Sequence, residues 1–267
     1  MANMYRPRAS WADIREPIKS QWVLQFNRCA SGYQYQRTLV SSNRKFSSPQ
    51  GIVCAHESVY LVSVDRGTIT RLSLSGEVLE ETAPYEDAMG GGFYVLWGMC
   101  LGPDGRTLFV AANVSEDGEY RLPTRTNTGC ILSQELNKDG SFRGTTQKCV
   151  SNHKGPGLNR PSDPAFCIHG CLLVSSFVSP TNGTRRRVYK FGYTTGETLA
   201  SFRNFRHERD GVTMECQGWL GAESGDSDLF SAPWGISCTP GGEVCVTSHN
   251  LDSAVSLVKL ESCGCMK

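Results

Sequence analysis

Twelve cysteines are the most conspicuous chemical groups in this chain of 267 residues. Their spacing is irregular, since three residues separate Cys167 from Cys171 and one residue separates Cys263 from Cys265. A structural zinc site usually requires two closely spaced pairs of the CxxC type, so this pattern argues against zinc. Most of the cysteines lie within apolar stretches, which predicts buried free thiols that pack as small hydrophobic groups. Disulfide bonds are the alternative.

Motifs that mark common catalytic sites are absent, since the sequence has no G-x-S-x-G elbow, no H-E-x-x-H and no P-loop. The net charge of +1 predicts no general attraction to nucleic acid. No run of about 18 apolar residues predicts a membrane span. The sequence therefore indicates no catalytic residue and no cofactor. The lack of these motifs favours a protein that is not an enzyme.

The compartment is left open by the first residues, which lack the apolar core of a secretory signal. The cytoplasm is favoured on that ground, and an extracellular location would follow if a leader has been removed. In the second case Asn113-Val-Ser and Asn182-Gly-Thr would be glycan acceptors.

A segment that recurs four times organises the chain, and its copies occupy residues 48–65, 95–113, 159–177 and 231–250. Aligning the copies places four residues in one column: Gly51, Gly98, Asp163 and Gly235. Each copy has an apolar stretch, a short turn such as GPDGR or PGG, and a second apolar stretch. This pattern predicts a β-hairpin, because glycine in the turn permits a positive φ.

A third strand is predicted after each hairpin, at residues 68–74, 130–136, 187–193 and 254–260. Three copies continue with a turn and a more polar fourth strand, in the stretches VLEETA, FRGTTQ and TLASFR. The N-terminal segment WVLQFN … YQRTLVS is interpreted as the last two strands of a further copy. Four antiparallel strands per repeat predict an all-β fold, a β-propeller of four to six blades that is incomplete or closed by its terminal strands. Residues 1–20 are predicted to be an N-terminal extension, and residues 21–267 the propeller domain.

Three phrases carry a resemblance to a known group of proteins: NRKFSSPQGI, GPGLNRPSDPAF…GCLLVSSF and GDSDLFSAPWGI. They are similar to the F-x-x-P-x-G-I and G-x-L-Y-V-x-S phrases of NHL-repeat propellers and of the related SMP-30-like, or lactonase-like, propellers. The resemblance covers residues 21–260. Two features depart from it: Asp163-Pro164 replaces Gly-Ile in the third copy, and the copies are more widely and unevenly spaced than NHL repeats. The connecting loops must therefore be enlarged.

The long connections are predicted to gather on one face of the propeller. Because the strands of a blade alternate in direction, the connections from second to third strand share one face with the connections between blades. Five long segments fall there, at residues 83–95, 113–129, 150–160, 178–186 and 204–232. Loops longer than about 12 residues are uncommon unless they are functional or disordered. The clustering of long connections on this face predicts that the propeller is a scaffold that binds a protein or peptide there.

The candidate binding residues on this face are arginines, one histidine and tryptophans: Trp97, Arg121, Arg125, Arg185, Arg186, Arg187, Arg206, His207, Trp219 and Trp234. The basic residues would attract an acidic partner or, as a weaker alternative, RNA. In the other interpretation, neighbouring acidic residues neutralise them and the loops are simply solvated. The two tryptophans that precede column glycines, Trp97 and Trp234, either stack on a ligand or fill space between blades.

The resemblance to lactonase-like propellers implies a second function, the hydrolysis of a small molecule at a metal ion. In those propellers Glu, Asn and Asp side chains hold the ion at the mouth of the channel. The comparable positions here are Asp65, Asn113 and Asn250, with Asp163 as a further candidate. Oxygen ligands of this kind suit Ca²⁺ or Mg²⁺, so either ion is expected only under this alternative.

Overall fold

The structure is a computed structural model of the chain, and it describes residues 23–29, 32–40, 49–64, 66–85, 93–115, 129–150, 158, 160–167, 170–176, 187–191, 216–220, 233–238, 243–248 and 255–259. All helical or strand structure within these residues is β-strand. In this part of the chain, no helix is long and apolar enough to cross a membrane. The predicted all-β fold is therefore confirmed.

Among the described residues, the strands form a two-stranded hairpin followed by four sheets. The hairpin consists of β1 (Val23–Cys29) and β2 (Gly32–Val40). Blade A contains β3 (Pro49–Ala55), β4 (Ser58–Ser63), β5 (Thr68–Ser73) and β6 (Val78–Glu81). Blade B contains β7 (Phe93–Leu101), β8 (Thr107–Ser115), β9 (Gly129–Leu136) and β10 (Phe142–Val150). Blade C contains β11 (Pro161–Phe166), β12 (Leu172–Ser176), β13 (Arg187–Phe191) and β14 (Cys216–Leu220). Blade D contains β15 (Pro233–Cys238), β16 (Glu243–Ser248) and β17 (Val255–Lys259).

Every sheet is an antiparallel meander, and its strands coincide with the predicted repeat at all positions but one. The exception is the fourth strand of blade C. The repeat predicts this strand in the stretch TLASFR, at residues 198–203, whereas Cys216–Leu220 pairs with β13 instead, with Trp219 opposite Tyr189. The expected loop at residues 204–232 consequently contains a strand.

The short turns follow the turn chemistry that the sequence predicts. In the turn of blade B, Asp104 Oδ1 accepts hydrogen bonds from the backbone N–H groups of Arg106 and Thr107, at 2.9 and 3.1 Å. Gly105 in the same turn has a φ of 66°, which costs glycine little. The equivalent turn of blade A has no glycine, and His56 and Glu57 adopt φ values of 48° and 53°.

Apolar side chains fill the spaces between neighbouring blades. Tyr60 and Val62 of β4 pack with Leu108 and Val110 of β8, between blades A and B. Between blades B and C, the rings of Phe109 and Phe166 meet edge to face, with centroids 5.1 Å apart. Ala165, Leu173, Ile236 and Val244 form the corresponding core between blades C and D. Burying such side chains stabilises the fold by roughly 1.5–3 kcal/mol for each large residue.

Polar contacts reinforce the packing of blade A on blade B at the end of the sheets where the short turns lie. The Tyr60 hydroxyl donates to the carbonyl oxygen of Gly140 at 2.6 Å. The Arg71 guanidinium donates to the carbonyl oxygen of Asp139. Nε2 of His56 lies 2.6 Å from the carbonyl oxygen of Gly105. The contacts of Tyr60 and His56 give partners to polar groups that are buried or partly buried, so they avoid the cost of desolvating a polar group without a hydrogen bond.

The aligned glycines allow the first strands of neighbouring blades to approach closely. A Cβ added at Gly51 would lie 2.8 Å from the carbonyl oxygen of Trp97 and 2.9 Å from the nitrogen of Met99. A Cβ added at Gly98 would overlap Oδ1 of Asp163. The column found in the sequence therefore marks positions where the backbone of the next blade takes up the space of a side chain.

Candidate functional site

The first strands of the four blades, β3, β7, β11 and β15, line a central cavity of about 470 Å³. The lining residues are 50–54, 99–101, 163–166 and 236–238. They extend from the level of the column glycines to the ends of the strands where the short turns begin. Sites for small molecules commonly have volumes of about 300–1,000 Å³, so this cavity is large enough for a compact ligand.

Asp163 supplies the only carboxyl group among the residues that line this cavity. Its Oδ2 accepts a hydrogen bond from the backbone N–H of Ile236 at 3.0 Å, which ties blade C to blade D. Its Oδ1 lies against Gly98 of blade B. Asp163, the residue that replaces glycine in the column, therefore places its carboxyl group between blades B, C and D.

The electrostatic setting of Asp163 favours its protonated form. Burial raises the pKa of this carboxyl to about 7, against a lowering contribution from the Ile236 N–H. A carboxyl group that titrates near neutral pH inside a cavity is a candidate general acid or base. Comparison of the repeats singles out the position, but no pattern in the sequence indicates that its environment shifts the pKa.

Three thiols, those of Cys54, Cys100 and Cys238, line the same cavity from three different blades. All three are free. The pKa of Cys100 is raised well above its ordinary value, first by burial and then by the neighbouring Asp163 and Cys238. Cys100 is consequently a protonated thiol at neutral pH and a weak nucleophile. The repeat alignment places these cysteines on first strands, and that signal would have located them.

The prediction of buried free thiols is confirmed for some cysteines and is wrong for others. Cys130 and Cys167 are buried thiols that form no disulfide bond. Cys54 is exposed, because it lies on the part of blade A, over β3, that the β1–β2 hairpin does not cover. Cys171, which is fully buried, is disulfide-bonded, as the alternative interpretation allowed.

The expected metal ligands do not form a site within the described residues. Asp65 and Asn250 lie outside those residues. Asn113 lies within β8 and is only 1% exposed, and its Nδ2 donates to the carbonyl oxygen of Pro161 at 3.4 Å. In the described ranges, no three His, Cys, Asp or Glu side chains are grouped closely enough to hold a metal ion. The Oδ1 of Asn113 is buried without a hydrogen-bond partner, and the expected Ca²⁺ or Mg²⁺ site stays a prediction because its other two ligands lie outside the described residues. The burial of Asn113 also makes it inaccessible as a glycan acceptor.

The predicted binding residues are only partly placed. Trp97 is half-buried on β7, where its backbone packs against Gly51. Arg187, Trp219 and Trp234 lie in strands β13, β14 and β15, but their side chains fall outside the described part of the structure. The remaining residues fall wholly outside it: Arg121, Arg125, Arg185, Arg186, Arg206 and His207.

The strand bounds show at which end of the sheets successive strands are joined. The chain passes from β8 to β9 and from β12 to β13 at one end, as expected for second-to-third connections. It passes from β13 to β14 at the opposite end, between Phe191 and Cys216. The prediction that every long connection lies on one face is therefore wrong for the longest of them, because the fourth strand of blade C begins later than expected.

Comparison with known proteins identifies the fold. No family model and no curated protein sequence matches the chain. A gluconolactonase from Xanthomonas campestris matches in structure with a TM-score of 0.52 at 16% identity, over 84% of this chain and 61% of that one. Hydrazine synthase from Kuenenia stuttgartiensis gives a TM-score of 0.53 at 12% identity, over 85% and 62%. The chain is a β-propeller.

The propeller predicted from the NHL-like and SMP-30-like phrases is thus confirmed as an architecture. A nidogen–laminin complex contains a further similar chain, with a TM-score of 0.48 at 14% identity, over 84% of this chain and 65% of that one. This propeller spans about three fifths of the length of the first two solved structures.

Proposed function

We propose that this propeller is a hydrolase of the lactonase type that acts on a small molecule in its central cavity. The observation that carries the proposal is the carboxyl group of Asp163, which lies in the cavity and has its pKa raised to about 7 by burial. A carboxylate with this pKa is a stronger base than an ordinary aspartate and is still ionised in a large fraction of molecules at neutral pH. Hydrolysis of an ester bond is a reaction that a single general base supports.

The chemistry follows from the position of one carboxylate in the wall of the cavity. Asp163 takes a proton from a water molecule, whose oxygen then forms a bond to the carbonyl carbon of the lactone. The ring C–O bond breaks as the tetrahedral intermediate collapses, and the proton on Asp163 passes to the departing alkoxide. The Ile236 N–H holds one carboxyl oxygen, Oδ2, in place throughout, at 3.0 Å in the resting structure. We assign no step to a metal ion, because two of the three expected ligands, Asp65 and Asn250, lie outside the described residues.

The similarity to a gluconolactonase supports the choice of substrate class. That protein shares the propeller architecture, and it is described as a gluconolactonase, an enzyme that acts on a sugar lactone. The cavity of about 470 Å³ has room for a ring of that size. Lysine, arginine and histidine are absent from its lining residues, so the structure favours an uncharged substrate over a phosphorylated one.

The proposal is tested by measuring hydrolysis of a panel of uncharged five- and six-membered lactones by the purified chain. We expect turnover of at least one lactone, and a loss of about 100-fold or more in Asp163→Asn, since general base catalysis contributes about 10²–10⁴-fold. Glu77→Gln, an exposed carboxyl in the β5–β6 turn, is the matched control and should behave like the parent protein. Activity that survives in Asp163→Asn, or its absence from all lactones, would contradict the proposal.

A second candidate function, binding of a protein or peptide, is favoured by a specific observation. The connections at residues 116–128, 151–160, 177–186 and 221–232 all join strands at the same end of the sheets. Replacing residues 116–128 by a short Gly-Ser linker should abolish capture of a partner and leave the thermal unfolding of the blades unchanged. Replacing residues 192–215 in the same way is the control, since that connection lies at the other end. Equal loss in both variants would contradict the assignment. RNA binding through the arginines stays a prediction from the sequence.

A further inference from the structure

One face of blade A is covered over its outer strands and bare over its first strand. Ile52 on β3 pairs with Leu61 on β4, and Cys54 pairs with Val59, so these four side chains share one face of the sheet. Leu61 and Val59 are each 2% exposed. In contrast, Ile52 is 52% exposed and Cys54 is also exposed.

The N-terminal hairpin accounts for this contrast, because it covers only the outer half of the face. Val23 and Leu39 of the hairpin pack with Val59, Leu61 and Leu72. Strand β2 lies toward the rim of the propeller, since Arg37 donates a hydrogen bond to the carbonyl oxygen of Leu74 at 2.6 Å. Strand β1 is therefore the hairpin strand nearer the axis. Among the described residues β1 pairs only with β2, so its inner edge has no neighbouring strand.

The other blades show what normally covers this position. The opposite face of β3 and β4 packs against β7 and β8, so that the first two strands of one blade cover the first two strands of the next. The same relation joins β11 and β12 of blade C to β15 and β16 of blade D. The hairpin β1–β2 occupies the place of third and fourth strands, and the first two strands of its blade are the part that would cover Ile52 and Cys54.

We propose that the space bounded by Ile52, Cys54 and the inner edge of β1 is a docking site for a two-stranded β-hairpin of a partner chain. The hairpin would add to β1 by backbone hydrogen bonds and lay its apolar face on Ile52 and Cys54. One observation favours this occupant: the site continues the series of blade-to-blade interfaces, in which two strands of one blade cover two strands of the next. An exposed apolar strand face beside an open strand edge is also a surface that proteins seldom leave uncovered.

A segment of this chain provides a model sequence for the partner hairpin. A peptide with the sequence of residues 49–63 contains the strand pair of blade A, and its Val53, Ala55, Tyr60 and Val62 are the side chains that pack on the next blade. By the repeat, the same side chains should fit the bare face of blade A in another molecule. The peptide serves as the probe, and its binding to the full chain is followed by fluorescence anisotropy of an attached dye.

We expect saturable binding that weakens about tenfold or more in Ile52→Asp, because a buried unpaired charge would replace an apolar contact. Leu79→Asp is the matched control: Leu79 is 50% exposed on the outer strand β6 and should not affect binding. As a second readout, bound peptide should slow alkylation of Cys54. Both substituted side chains are exposed, so neither substitution should prevent folding.

Three results would overturn the proposal. One is the absence of peptide binding, and another is equal binding by Ile52→Asp and the parent chain. The third is self-association of the chain that Ile52→Asp abolishes in sedimentation experiments, because the occupant would then be a second copy of this chain and not a partner hairpin.

Discussion

Asp163 Oδ2 lies 3.0 Å from the backbone nitrogen of Ile236, and this hydrogen bond joins the first strands of two blades across 73 positions of sequence. It holds a carboxyl group inside the central cavity at the one position where the glycine column is broken. The same side chain packs on Gly98 of the blade before. Asp163 therefore both links neighbouring blades and supplies the carboxyl group of the candidate site.

The first prediction concerns the pH dependence of stability. An aspartate carboxyl ordinarily has a pKa of 3.8, whereas the pKa of Asp163 is about 7 in the folded protein, because burial disfavours its charge. The folded state binds this proton more tightly, so the stability that Asp163 contributes is complete below about pH 3.8 and is lost as the pH rises through 7. Asp163→Asn keeps an acceptor for the Ile236 N–H without a titrating group. Its free energy of unfolding, measured with denaturant, should fall less between pH 5 and pH 8 than that of the parent chain; parallel changes would count against this assignment.

The second prediction concerns the close approach of blades B and C. In Gly98→Ala the added Cβ overlaps Asp163 Oδ1 and lies 2.6 Å from the carbonyl oxygen of Ser162, so the two blades must separate. We expect a loss of about 2 kcal/mol or more in the free energy of unfolding. Gly105→Ala is the comparison, since a Cβ there meets nothing within 4 Å and carries only the cost of a φ of 66°, about 1–2 kcal/mol. A smaller loss in Gly98→Ala than in Gly105→Ala would contradict the close contact.

The third prediction concerns the polar link between blades A and B. Tyr60→Phe removes the hydroxyl that donates to the Gly140 carbonyl oxygen at 2.6 Å and leaves that oxygen without this donor. The free energy of unfolding should fall by about 1–2 kcal/mol in denaturant titrations. Tyr85→Phe removes a longer hydrogen bond, 3.3 Å to Gln134 Oε1, and should cost less. The reverse order would show that the Tyr60 contact is not formed in solution.

The fourth prediction concerns the reactivity of the thiols in the cavity. Cys54 is exposed, whereas Cys100 is half-buried with a pKa raised well above the ordinary value of a thiol. Because the thiolate is the reactive form, iodoacetamide at pH 7.5 should modify Cys54 much faster than Cys100 or the buried Cys130. Peptide mass spectrometry after timed quenching measures the three rates, and unfolding in denaturant should bring them close together. Equal rates in the folded chain would contradict the described environments.

Local patterns in the sequence are sufficient to predict most of the fold. At Gly51 and Gly98 the glycine column reflects the close approach of the next blade's backbone, whereas Gly235 lies against the Thr247 side chain of its own blade. Turn residues such as Asp104 and Gly105 predict their hairpins because the interactions lie within a few residues of one another. The predicted position of the fourth strand of blade C is wrong, because an outermost strand has a partner on one side only and its sequence is less constrained.

The candidate site is harder to predict, because its properties arise from residues far apart in sequence. The pKa of Asp163 depends on burial by several blades and on the N–H of Ile236, neither of which has a local signature. The expectation of a metal ligand at Asn113 assumes that the side chain faces the channel mouth. In the structure the side chain is buried, its Nδ2 donates to the carbonyl oxygen of Pro161 and its Oδ1 has no hydrogen-bond partner, so its role as a metal ligand stays a prediction.

The pH profile of lactone hydrolysis tests the central claim, that Asp163 is a general base in the cavity, most directly. With Asp163 as the base, kcat/KM of the parent chain should rise with pH and level off above an inflection near 7, where the folded carboxyl loses its proton. Asp163→Asn should have a residual rate at least about 100-fold lower, without that inflection. An unchanged inflection in Asp163→Asn, or a parent profile that is flat between pH 5 and pH 9, would contradict the account.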